Sequence, residues 1–215
     1  MRRLAFFAPL AAVLAVAAGP AAADPASINV TLGSDLQEKA GELGEREVAR
    51  QADRLAEVVR RALARGEAGE AAQAVSVAEL LAVAGDDARR AGAEVEVDAP
   101  ADLTATLRPL AFKRALTNLA GNAAVHGEHV RLSARPLPSG GLEVAVEDDG
   151  PGIPDDMHEE AFRPFSRLDA SRNQNRKGVG LGLAIARDVA RGHGGDITLA
   201  RSDLGGLKAL IRLPG

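Results

Sequence analysis

An α+β fold, a two-layer sandwich with helices on one face of a sheet, is what the sequence predicts for residues 76–215. Three observations carry it. Strand-like and helix-like segments interleave from Glu94 onward. Apolar residues alternate at Leu142, Val144 and Val146, the period of a strand. Leu183, Ala186, Val189 and Ala190 keep helical spacing directly after a glycine-rich loop.

Taken in order, residues 1–24 read as a targeting segment. Arg2 and Arg3 precede an apolar run from Leu4 to Ala18, then Gly19-Pro20 and three alanines before Asp24. That is the charged start, apolar middle and small-residue cleavage site of a secretory signal. Extended through residues 4–23, the run also reaches ~20 residues, the length of a membrane anchor. Both readings stand. Residues 25–70 read as helical: Ser34 and Gln37 have capping-box spacing. Apolar positions at Val48, Ala52, Leu55, Val59 and Ala62 follow a four-three spacing, which suits a helix–helix seam over Val48–Leu63. An amphipathic helix packed on its own domain is the alternative. Glu57 and Arg61 form a favourable pair one turn apart, and Gly66 and Gly69 punctuate a linker, RGEAGEAAQ.

Strands are expected at Glu94–Asp98 and Leu103–Thr106, followed by a helix over Pro109–Val125. Two more strands (Val130–Arg135, Leu142–Glu147), a polar loop, a helix (Gly182–Gly192) and two final strands (Asp196–Arg201, Gly206–Leu213) complete the order.

Three motifs mark a site. LTNLAGNAAVHG (Leu116–Gly127) carries Asn118, Asn122 and His126 four residues apart, so all three share one helix face. An amide oxygen is a hard ligand suited to a magnesium ion that keeps several waters and takes its other ligands from phosphates. His126 is either a neighbour of the ligand or a plain surface histidine. EDDGPGIP (Glu147–Pro154) follows a strand, and Gly150 and Gly152 let the backbone approach a flat ring closely. As a turn it is also good chemistry, but a turn alone leaves the third motif unexplained. GVGLGLAIARDVA (Gly178–Ala190) is a glycine loop opening a helix, where free N–H groups favour phosphate oxygens. It matches neither a P-loop nor a dinucleotide fingerprint. Upstream, SRLDASRNQNRK between Phe165 and Gly178 has no apolar period and reads as a lid loop. Arg176 and Lys177 at its end are phosphate contacts or solvated lid charges. Phe162 and Phe165 stand out in a chain with five phenylalanines and would anchor that lid.

Composition narrows the classes. Among 215 residues, 26 basic and 30 acidic side chains are interspersed to a net charge of −4, which argues against nucleic-acid binding. Cysteine is absent, so neither a disulfide nor a thiolate metal site exists. Tyrosine and tryptophan are absent too, which removes a stacking surface for single strands.

The ordered set resembles the N-box, first glycine box, F-box and second glycine box of the catalytic ATP-binding domain of bacterial sensor histidine kinases. The likeness is greatest to osmosensor-type members of this gyrase and histidine-kinase ATPase superfamily. It implies ATP and Mg2+ as cofactors, with Asn122 on the metal and Asn118 nearer the transferred phosphate. The adenine-reading carboxylate maps onto Asp148, not Asp149. Gly150, Gly152, Ile153, Phe165, Lys177, Gly178, Gly180, Leu181, Gly182 and Leu183 would line the nucleotide, with His126 beside the base. Residues 25–70 would resemble part of a dimerisation domain, making Val48–Leu63 a homodimer seam. One departure is Val125, where family members often carry Lys or Arg. Another is the acceptor histidine: all four histidines (His126, His129, His158, His193) lie in the ATP-binding part. The implied partners are therefore a response regulator or an acceptor-histidine domain supplied in trans. The implied location is the inner membrane with the ATP-binding domain cytoplasmic, or else a rearranged gene product with a signal-like start. Other readings are a non-catalytic ATP-binding module, an anti-sigma-type serine kinase, or a gyrase-type hydrolase. The last needs a glutamate base where this chain has Asn118.

Overall fold

The computed structural model describes residues 69–164 and 180–215, together with residues 54, 57 and 58. The targeting segment, the seam at Val48–Leu63 apart from residues 54, 57 and 58, Phe165, Lys177 and Gly178 lie outside the described residues.

Strand β1 (Gln73–Ser76) pairs antiparallel with β3 (Thr104–Leu107), forming a separate two-stranded ribbon. β1 begins inside the stretch that reads as linker. Helix α1 (Val77–Arg90) follows at once, and the Oγ of Ser76 caps it by accepting the Glu79 N–H at 3.3 Å. Its inward stripe is Val77, Leu81, Ala84, Gly85 and Ala88. A Cβ at Gly85 would stand 3.2–3.3 Å from Val95, Val97 and Leu132, so the glycine lets α1 lie close on the sheet.

The main sheet has the order β2-β4-β5-β7-β6, with β2 (Glu94–Asp98), β4 (His129–Pro136), β5 (Leu142–Asp148), β6 (Asp196–Arg201) and β7 (Leu207–Leu213). β2 and β4 run parallel and the other pairs antiparallel. Helix α2 (Pro109–His126), the short α3 (His158–Ala161) and helix α4 (Gly182–Gly192) complete the set. The apolar residues of all five strands form one core with α1, α2 and α4, centred on the fully buried Phe112. This is the expected α+β sandwich.

Among the described residues no helix packs on the opposite face of the sheet, which carries rows of paired charges. Cross-strand register sets Glu96, Arg131, Glu147 and Lys208 in one row, and Arg135, Glu143 and Arg212 in another. Signs alternate along both rows, so each charge meets its opposite across the strands. Glu143 accepts from Arg135 Nε at 2.6 Å and Arg212 Nε at 2.8 Å. Burial alone would raise its carboxyl, but the two guanidinium bonds hold it below the usual range.

At the other end, Arg187 of α4 ties α3 and β6 together. Its Nε donates to Asp196 Oδ1 at 2.9 Å, its Nη1 donates to Glu159 Oε2 at 2.9 Å, and the guanidinium lies 4.2 Å from the ring centre of Phe162. Phe162 is thus a packing anchor at the edge of the polar loop. Among the described residues no helix is long and apolar enough to cross a membrane.

Candidate functional site

The site is assembled along α2. Pro109 occupies the first helical position, where its missing N–H costs nothing. The N-cap, Arg108, offers no side-chain cap of its own. Remote residues supply it instead. Both carboxylate oxygens of Glu70 accept, from the N–H groups of Leu110 at 2.5 Å and Ala111 at 3.1 Å. Nε2 of His193 accepts the Arg108 N–H at 3.0 Å. The helix then carries Asn118, Asn122 and His126, all half-buried and a turn apart on one face.

At the C-terminal end of α2 stands Asp148, the last residue of β5, only 3% exposed. Its Oδ1 accepts the N–H groups of Gly150 at 2.9 Å and Leu207 at 3.1 Å. Among the described residues neither bond uses Oδ2, which is left for an incoming donor. Burial pushes the carboxyl up from its ordinary value, and the two backbone donors oppose that only in part. The floor around it is backbone. A Cβ on Gly150 would come within 2.6 Å of the His126 carbonyl oxygen, and one on Gly206 would strike Asp148 Oδ1 and the Gly150 nitrogen. Gly152 has φ 71°, a left-handed conformation that glycine adopts freely. Ile153 packs partly against the core, and its carbonyl lies 3.0 Å from His158 Nε2.

Asp149 does different work. Its Oδ1 accepts from the N–H groups of Glu128 at 2.7 Å and His129 at 3.0 Å, and its Oδ2 lies 2.6 Å from His129 Nδ1. The backbone N–H and imidazole of His129 hold its carboxyl at about 2. The same contact, with Glu94 beside it, raises His129. Asp149 therefore staples the start of β4 to the end of β5.

Midway along α2 the helix meets the second glycine motif. Gly180 has φ 75°, Leu181 is buried, and Leu183 packs partly on the core. A Cβ on Gly182 would lie 3.6 Å from the Asn118 carbonyl oxygen and 3.7 Å from its Cβ. The N-cap of α4, Leu181, offers no side-chain cap, and among the described residues no side chain takes up its first N–H groups, the donors that a helix start presents to an anion. Asn118 and His126 are eight positions apart, about 12 Å at ~1.5 Å per residue. One end of this stripe faces a buried carboxylate over glycine backbone. The other faces open N–H groups.

Of the residues singled out from sequence, Asn118, Asn122, His126, Asp148, Gly150, Gly152, Gly180, Leu181 and Gly182 lie at these two ends or on the stripe between. Sequence reasoning passed over Gly206 and Leu207, whose contribution is backbone alone. The doublet Gly205-Gly206 before an apolar strand was the available signal. It also passed over Glu70, for which no local signal exists. Among the described residues no cluster of three or more acidic, cysteine or histidine side chains could hold a metal by itself. The single amide of Asn122 fits magnesium that draws its other ligands from phosphate and water.

Residues 108–215 match the family described as histidine kinase-, DNA gyrase B-, and HSP90-like ATPase. The chain is 45% identical over 107 residues to the sensor histidine kinase GtrS of Pseudomonas aeruginosa, covering 50% of this chain and 22% of that protein. It is 35% identical over 142 residues to the sensor-type histidine kinase PrrB of Mycobacterium leprae, covering 65% of this chain and 31% of that protein. It thus spans less than a third of either relative. Its fold superposes on the crystal structure of the ATP binding domain of PrrB from Mycobacterium tuberculosis with a TM-score of 0.56 at 32% identity, covering 67% of this chain and 97% of that one. The chain belongs to the histidine kinase-, DNA gyrase B- and HSP90-like ATPase family, and its fold is the ATP-binding domain of a sensor histidine kinase.

Proposed function

We propose that this domain transfers the γ-phosphoryl group of Mg-ATP to a histidine supplied by another domain. The observation that carries this reading is the stripe on α2, which joins the buried Asp148 to the open N–H groups at Gly182. Its length suits an extended nucleoside triphosphate. Asp148 Oδ2 accepts from the exocyclic amine of adenine, over the glycine floor and Ile153, with His126 beside the base. Asn122 holds the magnesium ion, which supplies charge neutralisation at the phosphates. Asn118 and the N–H groups around Gly180, Leu181, Gly182 and Leu183 position the phosphoryl group. Phe165, Lys177 and Gly178 complete the pocket by family likeness alone. Catalysis of this kind is positioning and electrostatics, with no covalent enzyme intermediate in the ATP domain.

The acceptor comes in trans. No histidine precedes His126 in the sequence. Three of the four are occupied elsewhere: His129 by Asp149, His158 by the Ile153 carbonyl, and His193 by Arg108 and Val189. A gyrase-type hydrolysis is disfavoured because Asn118 stands where the base is needed. The response regulator, the homodimer seam at Val48–Leu63 and an inner-membrane setting with this domain in the ATP-containing cytoplasm are part of the same proposal.

The test is incubation with γ-labelled ATP, alone and with an isolated acceptor-helix domain. Acid-labile label on the acceptor domain is the expected result. Label on this chain alone overturns transfer in trans, and label on neither, with ATP still bound, supports a non-catalytic binding module.

A further inference from the structure

His193 closes α4, and its two ring nitrogens face opposite kinds of partner. Nε2 lies 3.0 Å from the Arg108 nitrogen, which can only donate. Nδ1 lies 2.7 Å from the Val189 carbonyl oxygen, which can only accept. Only the neutral ring with its proton on Nδ1 satisfies both. The ring also packs edge-on against Phe112, with centroids 5.8 Å apart at 75°. Arg108 returns the contact: its guanidinium donates to the Gly192 carbonyl at 3.0 Å, and a Cβ on Gly192 would lie 2.5 Å from that nitrogen. The start of α2 and the end of α4 are therefore clamped from both sides.

Ten positions further along α2 is Asn118, and ten positions back along α4 is Gly182, the two residues that meet at the site. Each span is about 15 Å at ~1.5 Å per residue. The helices run antiparallel as two rails with a rung at each end. Between the rungs, the buried positions include Ala111 and Ala115 on α2 and Ala186 and Ala190 on α4.

We propose that His193 is a positioning residue for Asn118, because it fixes the axial register of α4 against α2. The placement of Asn118 against Gly182 is then set some 15 Å away, by a side chain that touches no substrate. The consequence for catalysis rests on the phosphotransfer reading above; the register itself does not.

Nitrogen-15 NMR of the intact chain tests the clamp first. The imidazole of His193 should carry its proton on Nδ1, and a proton on Nε2 overturns the proposal. His193→Phe keeps a ring against Phe112 but removes both nitrogens. It should shift the side-chain amide signals of Asn118 and the backbone signal of Gly182. His193→Gln, whose amide oxygen replaces Nε2 as acceptor, should largely restore them. Unmoved signals in His193→Phe overturn the register. In transfer to an acceptor-helix domain, His193→Phe should lower kcat by about 10- to 100-fold, the scale of an ångström-sized misplacement, with KM for ATP nearly unchanged. Equal losses in both overturn the positioning role. If the unmodified chain transfers nothing, the phosphotransfer reading has failed, and the NMR result still decides the register. If His193→Phe does not fold, the Nδ1 proton and His193→Gln decide it.

Discussion

Asp148→Asn separates binding from stability in a way few single-atom changes do. The amide oxygen can keep both bonds that Oδ1 now accepts, from Gly150 and Leu207. The amide nitrogen takes the place of Oδ2 and turns an acceptor into a donor. A carboxyl whose folded pKa is raised by burial is less at ease ionised in the fold than in the unfolded chain. Its negative charge therefore subtracts from stability at neutral pH, and the neutral amide removes that cost. The thermal midpoint of Asp148→Asn should stay level or rise. Adenine, in contrast, would meet a donor with its own donor. A hydrogen bond to a charged group contributes about 1.5–3 kcal/mol, so the affinity for ATP should fall by about 10- to 100-fold. The same assignment predicts that ATP affinity in the unmodified chain weakens as pH falls towards the raised pKa of Asp148. Calorimetry and thermal melts read the two quantities independently. Unchanged ATP affinity, or a midpoint lowered by several degrees, would refute the reasoning. Asp149→Asn should behave in the opposite sense, losing stability while nearly keeping affinity.

Three further outcomes follow from the same geometry. Asn122→Ala should reduce Mg-dependent ATP binding and leave metal-free adenosine binding nearly unchanged in calorimetry; an equal loss of both makes Asn122 a structural residue. Glu70→Ala removes the bidentate cap on α2 and should cost about 1 kcal/mol, a few degrees in the thermal midpoint, whereas a midpoint that does not move denies Glu70 a capping role. The His129–Asp149 contact should make stability fall on both sides of a window. Asp149, depressed to about 2, contributes above ~3.9 and loses that contribution as pH falls towards its folded value. His129, raised, contributes fully below ~6.5 and loses that contribution as pH climbs through its folded value. Thermal melts across pH should show both limbs, and His129→Phe should abolish the alkaline one.

What the sequence disclosed and what it hid divide along a physical line. α4 has the predicted bounds because a glycine loop opens it and Gly194-Gly195 follow it, and β6 does because turn residues flank it. The predicted α2 falls one residue short, at Val125 instead of His126, and β3 lies one residue later than expected. β1 went unread because Gln73–Ser76 is short and gains its strand character only by pairing with β3, about thirty residues on. α1 was signalled by Ser76 and Glu79 at capping-box spacing, a signal overlooked in a stretch that reads as the end of a linker. Within the site, Asp148 was legible as a side chain on a strand end. Its environment was not. The groups that cradle it are main-chain N–H groups from Gly150 and from Leu207, 59 residues away, and main-chain groups leave no mark on residue type.

Leu207 belongs to β7, which enters the sheet between β5 and β6 although it comes last among the strands. On a ribosome, every other element of the sandwich leaves the tunnel before the strand that completes the surroundings of Asp148. Until β7 threads into place, β5 has one open edge and Asp148 lacks its Leu207 donor and the Gly206 backbone beside it. The cradle around Asp148 therefore exists only in the completed sheet. If Asp148 reads the base as proposed, ATP adds its binding energy to finished domains more than to nascent ones.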